Sequence, residues 1–320
     1  MAVWRFKKQD DADRTEPESR EPEQELSTTR LERALANRDW PAAREIMTGT
    51  TPEKFMSYIA WAAQAKGVEE WIPDVIRAEP DSTLPLLVRG ARMVYWAWEA
   101  RGGGRADTVG PEQWKVWFHR LKIAEDCLNE VVERDPGCAE AWHYLVILGR
   151  ARQLPLDESW RRFNRLIEID PTHLYGHQQM LNNLMPKWSG STESMFGFAR
   201  TRAAAHPGSD LPLLVVEAHL EHRWAEGGNK YLRRNEVAGE IFAAAHSSFW
   251  HEDYRRSLTT ATLWNHFAYS LTIGKYYREA CAIFDLIGED EIRSAPWRST
   301  ERFLELRERA RDRADDPVLA

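Results

Sequence analysis

The amino-acid sequence predicts an all-α protein, arranged as an α-solenoid of antiparallel helix pairs with irregular repeats. From Leu31 to Arg313, apolar residues recur at three- and four-residue spacing, and no run of alternating apolar and polar residues stands out. Polar residue–proline pairs recur as well, with Pro136, Pro171 and Pro207 separated by 35 and 36 residues. Because a residue before proline is driven out of the α region, each pair marks a helix end. One interval therefore holds two helices and a turn.

Composition and repetition divide the chain into five predicted segments. Residues 1–29 are rich in Asp, Glu, Pro, Ser and Arg, which predicts a disordered N-terminal tail. We expect an N-terminal helical cap over 30–79, because the bare end of a solenoid would expose its core. Irregular repeats follow over 80–246, then a C-terminal repeat and capping helix over 247–313. We expect residues 314–320 to form a second disordered tail.

A duplication identifies a variant first helix. The block LPLLV occurs at 84–88 and again at 211–215, and each copy runs into glycines, at 102–104 and 227–228. Glycine takes the left-handed conformation that ends helices without steric cost, so these glycines predict helix C-caps. After the first copy, the sequence predicts a loop and then a long second helix that begins at Pro111.

One segment carries a complete family pattern. Its residues at the relevant spacing are Trp264, Phe267, Ala268, Leu271, Ala280, Phe284 and Ile287. This pattern resembles the tetratricopeptide repeat, and a second copy ending at Pro171 matches when one extra residue is allowed in its turn. The resemblance implies helix pairs whose concave face binds a peptide or a partner protein.

Longer phrases resemble a narrower group. WAWEARGGGRADTV, GHQQMLNNLMPKWSGSTESMFGFAR and AHLEH are similar to phrases in an uncharacterised bacterial group of tetratricopeptide-like proteins, a domain of unknown function. This resemblance implies kinship and supplies no mechanism.

Charge and composition exclude several classes of function. The formal net charge of −7 offers no surplus positive field for a polyanion, so we expect no nucleic-acid partner. The longest apolar runs are only a few residues, which predicts no membrane span, and no apolar segment follows the basic start, which predicts a cytoplasmic protein. The three cysteines form no CxxC pair, which argues against a disulfide framework or a thiolate zinc site.

The helix predicted over 84–101 provides the first group of candidate binding residues. Arg89, Arg92, Trp96 and Glu99 fall at positions i, i+3, i+7 and i+10, on one face, and Arg101 ends the helix. We expect this face to line the groove and the opposite, apolar face to pack inside. The alternative is a solvent-exposed ladder in which Arg92 pairs with Glu99, a pairing of small energetic value.

Histidines and one turn provide the remaining candidates. His219 and His222 lie at i, i+3, a spacing that could place two imidazoles on one metal. Because no HExxH or ExxH pair accompanies the histidines, the sequence predicts no metal and no cofactor, and it leaves His219 and His222 as candidate ligands. His173 and His177, at i, i+4, add possible ligands across the groove. The other groove candidates are His143, His177, Gln178, Lys187 and Trp188. Ser191 is expected to cap the helix that follows that turn.

Two functions from different classes follow, and neither identifies a catalytic residue. The first is a scaffold or adaptor that binds a peptide or partner protein in a concave groove through Trp, Tyr and Arg anchors. The alternative is an enzyme or a small-molecule or metal-binding accessory protein. Its pocket would lie between the variant repeats, lined by Trp96, Glu99, His177, His219 and His222. A homo-oligomer formed through exposed tryptophans is a further possibility.

Overall fold

The structure is a computed structural model, and it describes residues 22–104, 106–188 and 190–314. Over these ranges every regular element is a helix and no strand occurs, which confirms the all-α prediction. None of the helices in these ranges is long and apolar enough to cross a membrane. Residues 1–21 and 315–320 of the two predicted tails lie outside the described residues, as do Arg105 and Ser189.

The described residues divide into two compact units, 22–183 and 184–314. The boundary between them falls inside the segment 80–246 that the sequence predicts as irregular repeats. The helices of the first unit are α1 (Pro22–Ala36), α2 (Trp40–Met47), α3 (Pro52–Gln64), α4 (Val68–Ala78), α5 (Leu84–Arg101), α6 (Pro111–Arg134), α7 (Ala139–Ala151), α8 (Leu156–Ile169) and α9 (Leu174–Asn183).

The second unit begins with a turn and then continues as helices. They are α10 (Thr192–Ala205), α11 (Leu213–His222), α12 (Asn235–His246), α13 (Thr260–Ile273), α14 (Tyr277–Phe284), α15 (Ser294–Trp297) and α16 (Thr300–Ala314). Short 3₁₀ segments lie at Ala106–Thr108, Gly228–Arg233 and Glu289–Glu291.

Helix α1 starts earlier than the sequence predicts. Residues up to 29 were expected to belong to a disordered tail, but the helix begins at Pro22. Thr28, Leu31 and Leu35 are all buried, at i, i+3 and i+7, so they share the inner face of α1, which packs on α2 and α3. Burial of this face stabilises the helix in a segment whose polar composition had suggested disorder.

Several helix ends form as the local sequence predicts. Helix α5 ends at Arg101, and Gly102 follows with a φ of +73°, in the region that favours glycine. The Ser191 hydroxyl accepts a hydrogen bond from the Ser194 N–H at 3.0 Å, which confirms the predicted cap of α10. Helix α6 begins at Pro111 and runs for 24 residues as one long second helix.

Helices α5 and α6 pack unusually closely. A Cβ added to Gly90 of α5 would stand 2.7 Å from Cγ of Leu128 on α6, a distance that real Cβ atoms essentially never show. Only a hydrogen at position 90 permits this approach. The close packing fixes the end of α5, with Trp98 and Arg101, against the first turns of α6.

Helices α7 and α9 are buried on nearly every side, and part of what they bury is polar. Helix α7 carries mainly apolar residues, as a helix buried all round should, but it also buries Glu140 and His143. Helix α9 instead buries His177, Gln178, Asn182 and Asn183. Burying a polar group costs free energy unless the group is hydrogen-bonded. The concentration of buried polar side chains on α7 and α9 therefore marks this region as a candidate functional site.

Candidate functional site

A compact group of ionisable side chains lies where α7 begins and where the chain turns into α9. Glu140 is in the first turn of α7, and His143 follows it by three residues, on the same face. His173 immediately precedes α9. Its Nε2 lies 3.0 Å from Oε1 of Glu140, while Nδ1 of His143 lies 3.3 Å from Oε2. We call these three residues the Glu140 centre.

The Glu140 centre is buried and has a distinctive set of ligand atoms. Its side chains are no more than 8% exposed. Within the part of the chain that the structure describes, it is the only group of three His, Cys, Asp or Glu residues whose potential metal-ligating atoms all lie within 4.8 Å of one another. Burial removes competing water, so the interactions among these groups are stronger than they would be at the surface.

Hydrogen bonds define where the protons lie. Nδ1 of His173 accepts a hydrogen bond from the Gly176 N–H at 3.0 Å, so the ring proton is on Nε2, which donates to Glu140. His143 presents Nδ1 to the other carboxylate oxygen. Its Nε2 is buried and has no hydrogen-bond partner. The carboxylate of Glu140 therefore accepts one hydrogen bond from His143, near the start of α7, and one from His173, just before α9.

The electrostatics of the centre favour an ionised carboxylate. Burial acts to raise the pKa of Glu140, but the hydrogen bonds from His143 and His173 outweigh it and lower the pKa to about 2. Burial lowers the pKa of His143 although the hydrogen bond to Glu140 opposes this shift. At neutral pH the centre thus combines a carboxylate with a neutral His143, and both can supply lone pairs to a ligand.

The sequence contains a signal for this centre that the prediction missed. Glu140 and His143 have ExxH spacing, so the expectation that no ExxH pair accompanies the histidines is wrong. The third member, His173, lies 33 residues after Glu140, where only the tertiary structure brings it into contact. The predicted pairing of His173 with His177 is also different in the structure, because Nδ1 of His177 contacts the His173 backbone oxygen at 2.9 Å.

The predicted groove face of α5 is not a solvent-exposed wall. Arg92 is completely buried, which contradicts both its expected place on the groove face and the alternative of an exposed ladder. Its Nε donates to Glu69 of α4 at 2.7 Å, and its Nη1 donates to Glu99 at 2.9 Å. The predicted contact with Glu99 therefore exists. It belongs to an ionic network around the buried guanidinium, in which the Glu99 side chain keeps 33% of its surface exposed and α4 covers Arg92.

The other predicted residues of α5 remain partly accessible. Arg89 and Trp96 are half-buried, and the guanidinium of Arg120 from α6 lies 3.4 Å from the centroid of the Trp96 ring. Arg101 lies over the rings of Trp98 and Trp114, at 5.5 and 5.4 Å. These contacts are cation–π interactions within the α5–α6 pair.

His219 and His222 have other side chains as neighbours in the structure. Nδ1 of His219 lies 2.8 Å from the Tyr231 hydroxyl and its Nε2 lies 3.0 Å from Glu240, so both ring nitrogens are engaged. Nε2 of His222 lies 3.8 Å from Glu226. Among the described residues these two histidines belong to no group of three potential ligands.

The remaining candidates have different environments. His177 and Gln178 are buried in α9. Lys187 is exposed and its Nζ lies 2.7 Å from Glu221, while Trp188 is half-buried. Of the residues expected to line a pocket between the variant repeats, three belong to the first unit and two to the second. They are Trp96, Glu99 and His177, and His219 and His222, respectively.

An exposed aromatic group was not singled out by the sequence. Trp114 and Phe118, one turn apart on α6, stack with ring centroids 5.9 Å apart and an interplanar angle of 25°. Phe118 is 46% exposed. Trp117, between them in sequence, faces inward and is buried. We call Trp114 and Phe118, with Arg101 beside Trp114, the α6 aromatic patch.

Comparison with protein-family models gives no match, and comparison with curated proteins gives none either.

Proposed function

We propose that this protein is a helical-repeat scaffold that binds a partner protein at the α6 aromatic patch. The bound segment of the partner would carry both acidic and apolar side chains. The observation that carries the proposal is the stack of the exposed Phe118 ring on the half-buried Trp114 ring, next to the face of α6 that is buried in the core. The tetratricopeptide-like α-solenoid predicted from the sequence is part of the proposal.

The packing order of the helices supports the repeat architecture within each unit. In the first unit, each helix from α4 to α8 contacts the next helix along the chain, and α3 contacts α5. In addition α5 contacts α7, and α7 contacts α9. In the second unit α10, α11, α12, α13 and α14 pack consecutively, and α11 also contacts α13. Contact between alternate helices is expected when helix pairs stack side by side and their first helices form one layer.

The α6 aromatic patch has the composition of a protein-binding surface. Aromatic and arginine side chains dominate the binding energy of protein interfaces because they bury a large area and lose little conformational entropy. Helix α6 already buries Trp117, Leu121 and Leu128 on its inner face. Phe118 is therefore not needed for the core, and its exposure has no stabilising role in the isolated chain.

Charge at the patch indicates the chemistry of the partner. Arg101 has no carboxylate at ion-pair distance among the described residues, and burial lowers the pKa of its guanidinium group. Between 111 and 122 there is one acid, Glu112, against three basic residues, although the whole chain is acidic. A segment that combines aromatic or aliphatic side chains with Asp or Glu would complement this surface.

A photo-crosslinking experiment tests the proposal. A photoreactive amino acid is placed at position 118 of the full chain in its source cells, and crosslinked proteins are identified by mass spectrometry. Position 224 is the matched control, because Trp224 is 51% exposed but lies in the second unit. We expect one partner to be captured at 118 and not at 224.

Binding of the purified partner then gives the decisive measurement. Trp114→Ala with Phe118→Ala should weaken binding by about 30-fold or more, as expected for the loss of one or two hot-spot residues, and Trp224→Ala should not change it. Arg101→Gln should reduce the salt dependence of the binding affinity. Equal affinity in the aromatic double variant would overturn the proposal. If crosslinks form only between copies of this chain, the patch binds a second copy, and the proposal of a different partner protein is wrong.

A further inference from the structure

We propose that the Glu140 centre is a binding site for a divalent transition-metal cation, with Zn²⁺ as the representative ion. The ligands are the carboxylate of Glu140, Nδ1 of His143 and Nε2 of His173. This site is separate from the α6 aromatic patch and does not depend on the proposed partner.

The arrangement of donor atoms supports the assignment. The two carboxylate oxygens face different imidazole nitrogens at 3.0 and 3.3 Å, distances close to those between neighbouring ligands of one tetrahedral ion whose bonds are about 2.0–2.2 Å long. The group consists of three residues from the starts of two helices, and it contains no other acid or histidine. Surface clusters of acids commonly occur without an ion, but this group is buried and mixed in type.

The donor chemistry selects the class of cation. Imidazole nitrogens favour Zn²⁺, Cu²⁺, Ni²⁺ and Fe²⁺, whereas Mg²⁺ and Ca²⁺ prefer sites made entirely of oxygen. Two histidines and one carboxylate form the three-residue ligand set used in many zinc and non-haem iron sites, which leave further coordination positions open. We therefore expect Zn²⁺ or Co²⁺ to bind and Mg²⁺ not to compete.

Metal binding requires a change of tautomer in both histidines. When the ion takes Nδ1 of His143, the ring proton moves to Nε2, which has no hydrogen-bond partner to lose. When the ion takes Nε2 of His173, the proton moves to Nδ1, and the hydrogen bond from the Gly176 N–H breaks. No proton is released in this exchange. The Gly176 amide therefore reports specifically on occupation of the site.

A bound ion would connect two neighbouring helix pairs. Glu140 and His143 are on α7 and His173 leads into α9, so coordination crosslinks the starts of both helices. A ligand that binds only the folded state raises the unfolding temperature, and the stabilisation grows with the logarithm of its free concentration divided by its Kd. The metal is thus expected to stabilise the first unit.

The test begins with the full-length chain freed of metal by a chelator. Isothermal titration with Zn²⁺ should give one site per chain with a Kd below about 1 μM. Co²⁺ should produce visible absorption typical of a low-symmetry site with nitrogen ligands, and excess Mg²⁺ should not remove it. In ¹H–¹⁵N spectra the Gly176 amide should shift on addition of Zn²⁺, and the melting temperature should rise.

Variants locate the site. Glu140→Gln and His173→Ala should each reduce Zn²⁺ affinity by more than about 100-fold, which exceeds the ~10–100-fold loss typical of removing an outer-shell partner. The double variant His219→Ala with His222→Ala is the matched control, since it removes two partly or fully buried histidines outside the centre. It should bind Zn²⁺ as the parent does.

Two results would overturn the proposal. One is a parent protein that shows no saturable Zn²⁺ binding and no change at the Gly176 amide. The other is binding that survives Glu140→Gln or is lost only in the His219 and His222 variant. If a centre variant fails to fold, the Co²⁺ spectrum and the Gly176 amide of the parent protein decide the question.

Discussion

The buried guanidinium of Arg92 on α5 donates to the carboxylate of Glu69 on α4 across 2.7 Å. Arg92 is fully buried, whereas the Glu69 side chain keeps 10% of its surface exposed. Burial acts to lower the pKa of Arg92, but the hydrogen bonds to Glu69 and Glu99 outweigh it and raise the pKa. The pair therefore stays ionised and links two helices through the core.

Replacing Arg92 should destabilise the fold. Arg92→Ala leaves two acids without their shared cation and opens a cavity, and loss of one partner of a buried ion pair typically costs about 3–5 kcal/mol. Denaturant unfolding followed by circular dichroism measures the change. Arg89→Ala, three residues earlier on a half-buried position, is the control and should cost about 1 kcal/mol or less. Equal midpoints for both variants would contradict the ionic network.

Replacing two adjacent aromatic residues on α6 should change stability by very different amounts. Trp117 is 2% exposed and its ring lies edge-on to Trp98 at 4.4 Å, so Trp117→Ala should cost about 3–5 kcal/mol. Phe118→Ala removes an exposed ring and should change the free energy of unfolding by about 0.5 kcal/mol or less. Thermal and denaturant unfolding of the two variants provides the measurement. A large loss for Phe118→Ala would mean that this ring serves the core and not a partner.

Because α5 and α6 pack closely at Gly90, adding a single methyl group at that position should destabilise the protein. Gly90→Ala places a Cβ against Leu128, and overpacking of this kind costs about 1–3 kcal/mol, which exceeds the gain from better helix propensity. Gly197→Ala is the matched control, because that glycine is also helical but nothing lies within 4 Å of the added Cβ. It should stabilise the protein by roughly 0.5–1 kcal/mol. The prediction fails if both substitutions have the same sign.

Acid stability should depend on Glu240. Hydrogen bonds from Arg200 and then from His219 lower its pKa to about 2. Because the folded-state pKa lies below the unfolded value of about 4.5, the contribution of Glu240 is fully present above pH 4.5. It is lost as the pH falls towards 2.

Comparing parent and variant unfolding curves across this pH range tests the assignment. Glu240→Gln should lower stability at neutral pH and flatten its dependence on pH below about 4.5. Glu236→Gln, in the first turn of the same helix α12, is the control and should leave the acid limb of the curve as in the parent. Identical acid limbs for Glu240→Gln and the parent would show that the pairing contributes nothing.

The sequence by itself determined where most helices form and how several of them end. Three- and four-residue periodicity, the cap at Ser191 and the left-handed Gly102 act within one or two turns of the chain, so they can be read without a tertiary structure. The start of α1 could not be placed in this way. Its inner face is stabilised by contacts with α2 and α3, which outweigh a polar composition.

Tertiary structure alone decided which polar side chains are buried and what they contact. The spacing of Arg92 and its neighbours is compatible with either a solvent-exposed or a buried helix face. Arg92 is buried because it pairs with Glu69, which lies 23 residues earlier. Glu140 and His143 have a readable spacing, but His173 reaches them only because α9 starts beside α7. Periodicity reports which face of a helix is apolar, whereas the environment of a charge depends on long-range packing that no local pattern encodes.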